Sequence, residues 1–393
     1  MKHILLIILL FNSFFLYQQE CIGKKLLLEE KKNNLFLGNT SEKNLDSIIK
    51  KSKQFIIINS IKQPSSILQK IGDIIAESGY KYSENNYSYG KALTEKEFEC
   101  DQYCITYLSI ARELNLPIYA ILMPEHMILV WEDSKSCIYW EATKNIELSE
   151  SQIAINFSKK HQSIKNNSIF YRVGVNLESV LIDSYIGEFY LINKDYAHAK
   201  QYLEKANLKL SNVNMIKNNL GVIYQNTNNS IIAKKLFLEC IASDSTNYKA
   251  YNNLGLYNYK KENYDSSIYY YYKAIYFNSQ YPDAYNNLGL AYGHTGDFEN
   301  AIKNFDKAIS LNNNDSEYYM NKGVCNIYMK NFIEAEICLT KGISIDPKNV
   351  NLIINMAIAK VNLGKKEEAC QYLKMGKDMG SSIAENYYGK ICK

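Results

Sequence analysis

The stretch FECDQYCITYLSIARELNLPIYAILMPEHMILVWEDSKSCIYWEAT, residues 98–143, changes its hydrophobic period part-way along. Apolar residues recur at Cys104, Ile105, Leu108, Ala111 and Leu114, and the pattern stops before Asn115 and Pro117. This spacing predicts a helix over 101–114 with one buried face. Three short runs rich in β-formers follow, at 118–123, 127–131 and 137–140. The polar residues 132–135 predict a hairpin between the second and third runs. A turn centred between Asp133 and Ser134 sets His126 opposite Glu141, Met127 opposite Trp140 and Ile128 opposite Tyr139. Facing residues have Cβ atoms about 4.5–5.5 Å apart, so the Glu141 carboxylate would accept a hydrogen bond from the imidazole. Cys100, at the helix start, meets unpaired N–H groups and the positive end of the helix dipole, which lower a thiol pKa from about 8.5. Cys100, His126 and Glu141 are thus placed as nucleophile, base and orienting group.

A zinc site is the competing use of these side chains. Cys100, Cys104, His126 and Cys137 would be its ligands, but in this register Cys137 faces Val130, about 13 Å along the strand from His126. No metal and no cofactor is therefore expected. The chain has no HExxH, no GxSxG and no glycine-rich phosphate loop, which excludes the common zincin, serine-hydrolase and nucleotide readings.

Upstream, Ile67, Ile71, Ile74 and Ile75 at helical spacing, with Pro64 before and Gly79 after them, predict a capped helix over 64–78. Residues 24–61 are charged and irregular and read as a tether. Residues 1–23 read as a secretory signal: a short basic start, then an apolar run over 4–17 too short to span a bilayer comfortably. The cut is expected after Gly23. Lipidation of Cys21, or an uncleaved N-terminal anchor, is the alternative. After signal removal no membrane span is expected, and the destination is periplasmic, secreted or cell-surface. The formal net charge of +4 offers no basic field for nucleic acid. Cys240, Cys325, Cys338 and Cys370 fall within helical repeats and read as small buried hydrophobes rather than a disulfide framework.

The C-terminal half is periodic. Gly187, Gly221, Gly255, Gly289, Gly323 and Ala357 recur every 34 residues. Twelve residues on stand Ala199, Ala233, Ser267, Ala301, Ala335 and Ala369, and sixteen on stand Leu203, Phe237, Tyr271, Phe305, Leu339 and Leu373. Small residues where two helices cross, and a large apolar one filling the next groove, form a packing code for stacked helix pairs. Lys322 stands where Ile186, Leu220, Leu254 and Leu288 stand in other units, and Asn258, Asn326 and Lys360 replace the tyrosine of Tyr190, Tyr224 and Tyr292, which predicts looser packing in the fifth and sixth units. Asn219, Asn253, Asn287, Asn321 and Asn355 share one place in successive first helices. Such an amide ladder suits the backbone of an extended peptide, or is simply usual for this repeat type.

This register resembles the tetratricopeptide repeat over 180–383, in six units, with 384–393 as a terminal capping helix. The earlier stretch resembles the transglutaminase-like superfamily of papain-like thiol enzymes. The likeness is carried by the cysteine opening a helix, ArgGluLeuAsnLeuPro at 112–117, ProGluHis at 124–126 and TrpGluAlaThr at 140–143. It implies a domain over 62–175 with Cys100, His126 and Glu141 as its catalytic triad. The family more often has aspartate at the third place. The oxyanion donors would be the Cys100 N–H and an upstream amide such as Asn85 or Asn86. The expected fold class is an α+β papain/transglutaminase-like domain followed by an all-α tetratricopeptide-repeat solenoid. The expected function is cysteine-dependent acyl transfer, peptide or amide hydrolysis before crosslinking, with a protein or peptide partner on the repeats. The alternative is a non-catalytic scaffold.

Overall fold

The computed structural model describes residues 22–33, 40–59, 61, 63–83, 89–114, 116–123, 126–132, 137–148, 171–173 and 178–392. They form two compact units, 1–229 and 230–393. The expected leader lies outside the described residues except for Ile22 and Gly23.

The expected tether over 24–61 is largely helical. Helix α1 (Ile22–Lys32) buries Leu26 and Leu27, and α2 (Thr40–Ile58) buries Leu45, Ile48, Ile49 and Ile56. The three- and four-residue spacing of these apolar positions is an amphipathic stripe thinned by lysines. Gly23, the expected cleavage point, is embedded: its N–H donates to Ser109 Oγ at 2.9 Å. A Cβ there would lie 2.7 Å from that oxygen and 2.9 Å from Leu45 Cδ2. A cut after Gly23 would therefore remove a packed residue. Farther along α1, Glu30 accepts the Tyr89 N–H at 2.6 Å, and Glu29 accepts from Tyr202 Oη at 3.0 Å.

Helix α3 (Pro64–Glu77) forms where the spacing placed it, with proline in its first turn and all four isoleucines buried. A parallel pair, β1 (Lys81–Tyr82) and β2 (Glu97–Phe98), flanks α4 (Tyr89–Glu95) and delivers the chain to α5 (Cys100–Glu113). Phe98 is fully buried between Tyr80, stacked at 4.5 Å, and Tyr103, edge-on at 5.3 Å. These rings fix the point at which α5 begins.

The strands β3 (Ile118–Met123), β4 (His126–Glu132), β5 (Cys137–Glu141), β6 (Ile146–Leu148) and β7 (Tyr171–Val173) form an antiparallel sheet in the order β6-β5-β4-β3-β7. Ile128, Leu129 and Val130 of β4 are fully buried, so this central strand is covered on both faces. The hairpin register differs from the expected one by two residues: Leu129 faces Trp140, Val130 faces Tyr139 and Glu132 faces Cys137. Pairing runs out to Cys137, which moves the centre of the turn. A two-residue shift leaves every side chain on its expected face.

In the first unit, α6 (Glu178–Ile192) pairs with α7 (Tyr196–Lys209), and α8 (Asn214–Asn226) follows. The second unit continues with α9 (Ser230–Ser243), α10 (Tyr248–Tyr259), α11 (Tyr264–Phe277), α12 (Pro282–His294), α13 (Phe298–Leu311), α14 (Ser316–Tyr328), α15 (Phe332–Ile345), α16 (Val350–Asn362), α17 (Lys366–Asp378) and α18 (Ser382–Ile391). The small-to-large code is met literally. A Cβ on Gly187, Gly255, Gly289 or Gly323 would stand 2.4–2.8 Å from Leu203, Tyr271, Phe305 or Leu339 respectively. The looser packing expected at Lys322 and Lys360 is offset by ion pairs. Lys322 reaches Asp306 at 2.6 Å; Lys360, 6 % exposed, reaches Glu336 at 2.6 Å and also pairs with Glu368. The lysines hold the Glu336 carboxyl below its usual range.

Cys370 departs from the expected role. It forms a disulfide with Cys392, 22 residues on, clamping α18 over Ala357, Ala369 and Leu373. Closing a loop of that size stabilises by roughly 3 kcal/mol in the chain-entropy view. Cys240, Cys325 and Cys338 are buried thiols as expected, and burial pushes the Cys325 thiol up to about 11.

Because Phe305 lies against Gly289 with no space for a side chain, Gly289→Val should lower the unfolding free energy by about 1–3 kcal/mol, the usual cost of overpacking. Urea denaturation followed by circular dichroism measures it, and an unchanged midpoint would contradict the packing code.

Candidate functional site

Cys100 is the first residue of α5. Glu99 is the N-cap, and a reciprocal capping box forms: its side chain takes the N–H of Gln102, while Gln102 Oε1 takes the Glu99 N–H at 2.9 Å. This fixes the first turn as the sequence required. The charges beside Cys100 are acidic, Glu99 and Asp101, and they oppose a thiolate unless a cation stands near.

His126 opens β4, paired with Met123, and Glu141 closes β5. They therefore lie at the same end of neighbouring strands. Continued by one step, the register sets Glu141 opposite Ile128, so His126 is its diagonal neighbour rather than its facing one. Diagonal positions are about 7–8 Å apart, within reach of a long side chain such as that of glutamate. Glu141 is 6 % exposed and accepts from Thr143 Oγ1 at 2.7 Å and from the Thr143 N–H at 3.2 Å. The side chains of Cys100 and His126 lie outside the described part of the structure, as do Asn85 and Asn86. Cys104 is buried within α5, and Cys137 is exposed at the far end of the hairpin. Among the described residues no three His, Cys, Asp or Glu side chains converge as for a metal.

One cluster the sequence did not reveal joins these elements. Tyr107 of α5 receives the Trp140 indole N–H at 3.3 Å, and its own hydroxyl donates to Asn145 Oδ1 at 2.9 Å. Asn145, at φ 53° in the turn after β5, donates in turn to Gln69 O at 3.1 Å and Asp73 Oδ1 at 3.0 Å on α3. Gly72 leaves the space: a Cβ there would stand 2.0 Å from Asn145 Oδ1. Burial raises the Tyr107 pKa far above the ordinary phenol value, so it stays a neutral donor. The cluster fixes α5, which Cys100 opens, against the end of β5 that carries Glu141.

The amide ladder is partly engaged within the array. Asn287 donates to Asn252 Oδ1, and Asn321 to Asn286 Oδ1, each at 3.0 Å. These bonds staple consecutive first helices. Asn253 and Asn355 are half-buried at the same register place, and so is Asn219, whose Nδ2 has no partner.

Two family models match, both described as tetratricopeptide repeat, over residues 282–315 and 316–349. Those helix pairs, α12 with α13 and α14 with α15, are tetratricopeptide repeats, and the C-terminal part of the chain is an all-helical solenoid of that kind. No curated protein matches the chain. Among solved structures, the APC/C hetero-tetramer Cut9-Hcn1 is similar at 16% identity, over 60% of this chain and 48% of the matched one, with a TM-score of 0.50. Pseudomonas aeruginosa pilF matches at 19% identity over 54% of this chain and 97% of its own, TM-score 0.47. YrrB, described as a TPR protein with an unusual peptide-binding site, matches at 20% identity over 49% and 100%, TM-score 0.39. These likenesses concern the fold. No helix among the described residues is long and apolar enough to cross a membrane.

Tyr107→Phe would leave Asn145 Oδ1 and Trp140 Nε1 short of a partner, each costing about 1–3 kcal/mol. A loss of at least about 2 kcal/mol in urea unfolding is expected for the first unit. A loss under about 0.5 kcal/mol would show the cluster to be incidental.

Proposed function

We propose that this chain is a protein-binding scaffold whose repeat array holds a protein or peptide partner. The observation that carries the reading is the tetratricopeptide register itself, with Asn253, Asn287, Asn321 and Asn355 running beside half-buried Leu256, Leu290, Val324 and Ile358. Repeats of this type bind protein or peptide partners, and amides next to an aliphatic line suit an extended chain with alternating apolar side chains. The Cys370–Cys392 disulfide supports an oxidising compartment, hence export to the periplasm, the cell surface or the medium. The test is capture from the cells that make the protein. A partner retained by the native chain should bind at least tenfold more weakly to a Leu256→Glu, Ile358→Glu double variant with unchanged circular dichroism; equal retention would move the binding face elsewhere.

A second reading is cysteine-dependent acyl transfer, with peptide or amide hydrolysis ahead of crosslinking. It is favoured by Cys100 opening α5 while His126 and Glu141 share one end of the β4–β5 ladder. The Cys100 sulfur would attack the carbonyl carbon, His126 would take the thiol proton and return it to the leaving amine, and Glu141 would orient the ring. Its test is the alkylation rate of Cys100 against pH. A reactive thiolate below pH 7 that is lost in His126→Ala supports an imidazolium–thiolate pair, whereas an ordinary profile near pH 8.5 in both proteins removes catalysis.

A further inference from the structure

The solvent side of α2 carries an order that packing within the unit does not explain. Leu45, Ile48, Ile49 and Ile56 form its buried stripe. On the opposite side Lys43, Lys50, Lys53 and Ile57 fall in line at seven-, three- and four-residue steps. The helix then ends on large apolar side chains left in the open: Ile57 is 60 % and Ile58 77 % exposed, with Phe55 exposed beside them. Lys70 covers one face of the Phe55 ring, its Nζ 4.4 Å from the ring centre. Large apolar side chains gathered at a surface mark a place where something binds.

The charges identify the partner. Both acids of α2 are taken up by α1: Asp46 pairs with Lys24 at 2.8 Å and Glu42 with Lys31 at 3.3 Å. Glu77, which lines the groove beside Ile58, pairs with Lys70 at 3.1 Å. Lys43, Lys50 and Lys53 are exposed and have no ion pair among the described residues. The stripe is therefore a row of uncompensated cations leading to an apolar tip. Two carbonyls at that tip are already satisfied, so an apolar medium does not strand them. Asn59 donates to Phe55 O from its backbone N–H at 3.1 Å and from its side-chain amide at 2.8 Å, and the Ile61 N–H reaches Ile56 O at 3.3 Å. At 1.5 Å per residue, Lys53 and Lys50 stand about 6 and 10 Å back along the axis from Ile57. An interfacial helix buries its apolar part roughly 5–10 Å into the boundary of headgroups and acyl chains, which sets those two lysines level with the phosphates. A groove on a protein would require no such separation of apolar tip and cationic shaft along one axis. Contact is at the surface, since no helix among the described residues is long and apolar enough to cross a membrane. We propose that the C-terminal tip of α2 inserts into the surface of an anionic phospholipid bilayer, with Ile57 and Ile58 entering the acyl region and Lys50 and Lys53 meeting the phosphates. The proposal is independent of what the repeats hold.

The test uses the full chain carrying Ile57→Trp, a change at an exposed position that leaves the core untouched. Trp131 and Trp140 are buried, and the chain without the substitution supplies their baseline. Vesicles of phosphatidylcholine and phosphatidylglycerol in equal amounts, with brominated acyl chains, quench an indole only where it enters the bilayer. The readout thus reports position 57 whatever else on the chain binds lipid. The added fluorescence should be quenched on these vesicles, and phosphatidylcholine alone should require at least about tenfold more lipid for the same quenching. A lysine near an anionic surface is worth about fivefold in partition, so adding Lys50→Gln and Lys53→Gln together should raise the lipid required about twenty-five-fold. Absence of quenching, in a free or a vesicle-bound chain, overturns the proposal, as does quenching that is equal on neutral vesicles or unmoved by the lysine double variant. A blue shift that grows with protein concentration without lipid puts a second copy on the tip. One present at every concentration, without quenching, means that the chain's own residues cover it. Either of these results also overturns the proposal.

Discussion

A single buried hydroxyl, that of Tyr107, holds the first unit's parts in relation. It gathers the indole of Trp140 and the amide of Asn145, and through Asn145 it reaches α3. Neutral phenol is the only form that burial permits there, so the bond pattern does not vary across ordinary pH. A satisfied polar cluster inside an apolar surround is directional where hydrophobic packing is not, and it specifies one arrangement of helix on sheet. The position of Cys100 relative to Glu141 follows from that arrangement, because one begins the helix that Tyr107 sits on and the other ends the strand that Trp140 sits on.

The solenoid is held together on a different principle. Each glycine admits one large side chain of its own repeat, so contacts are local and repeat almost unchanged. Substitutions that break the code are met by local compensation, as where Lys360 enters a buried place between Glu336 and Glu368. The asparagine staples add a polar link between neighbours, and they also explain why a ladder visible in sequence is not uniformly available to a partner.

Much of this was legible in the sequence, for identifiable reasons. The helix from Pro64, the helix from Cys100, the strands around Ala120, Leu129 and Tyr139, and the repeat register are all written in short periods with clear punctuation. The hairpin register lies two residues from the one the sequence suggests because the turn has no Asn-Gly or Gly pair to mark its centre, and any even shift satisfies the same in–out pattern. In sequence, helices α1 and α2 resemble a tether because lysines interrupt their apolar stripes. The Cys370–Cys392 bridge and the Tyr107, Asn145 and Gly72 cluster depend on distances in space that no spacing encodes. Of the candidate site, the start of α5 at Cys100 and the strands that carry His126 and Glu141 were legible, whereas the pairing of those two residues was not, because it depends on the same unmarked turn.

Helix α1 has a consequence for the order in which the chain folds. Its Gly23 and Glu30 meet Ser109 and Tyr89 from much nearer in the chain, whereas Glu29, and Asn33 just after the helix, bond Tyr202, a contact that needs some 170 further residues. Such a contact closes a very long loop and forms late, whether the chain emerges from a ribosome or threads through a membrane pore. Helix α1 therefore docks in two stages, first on the helices that carry Tyr89 and Ser109 and only later on the repeat that carries Tyr202.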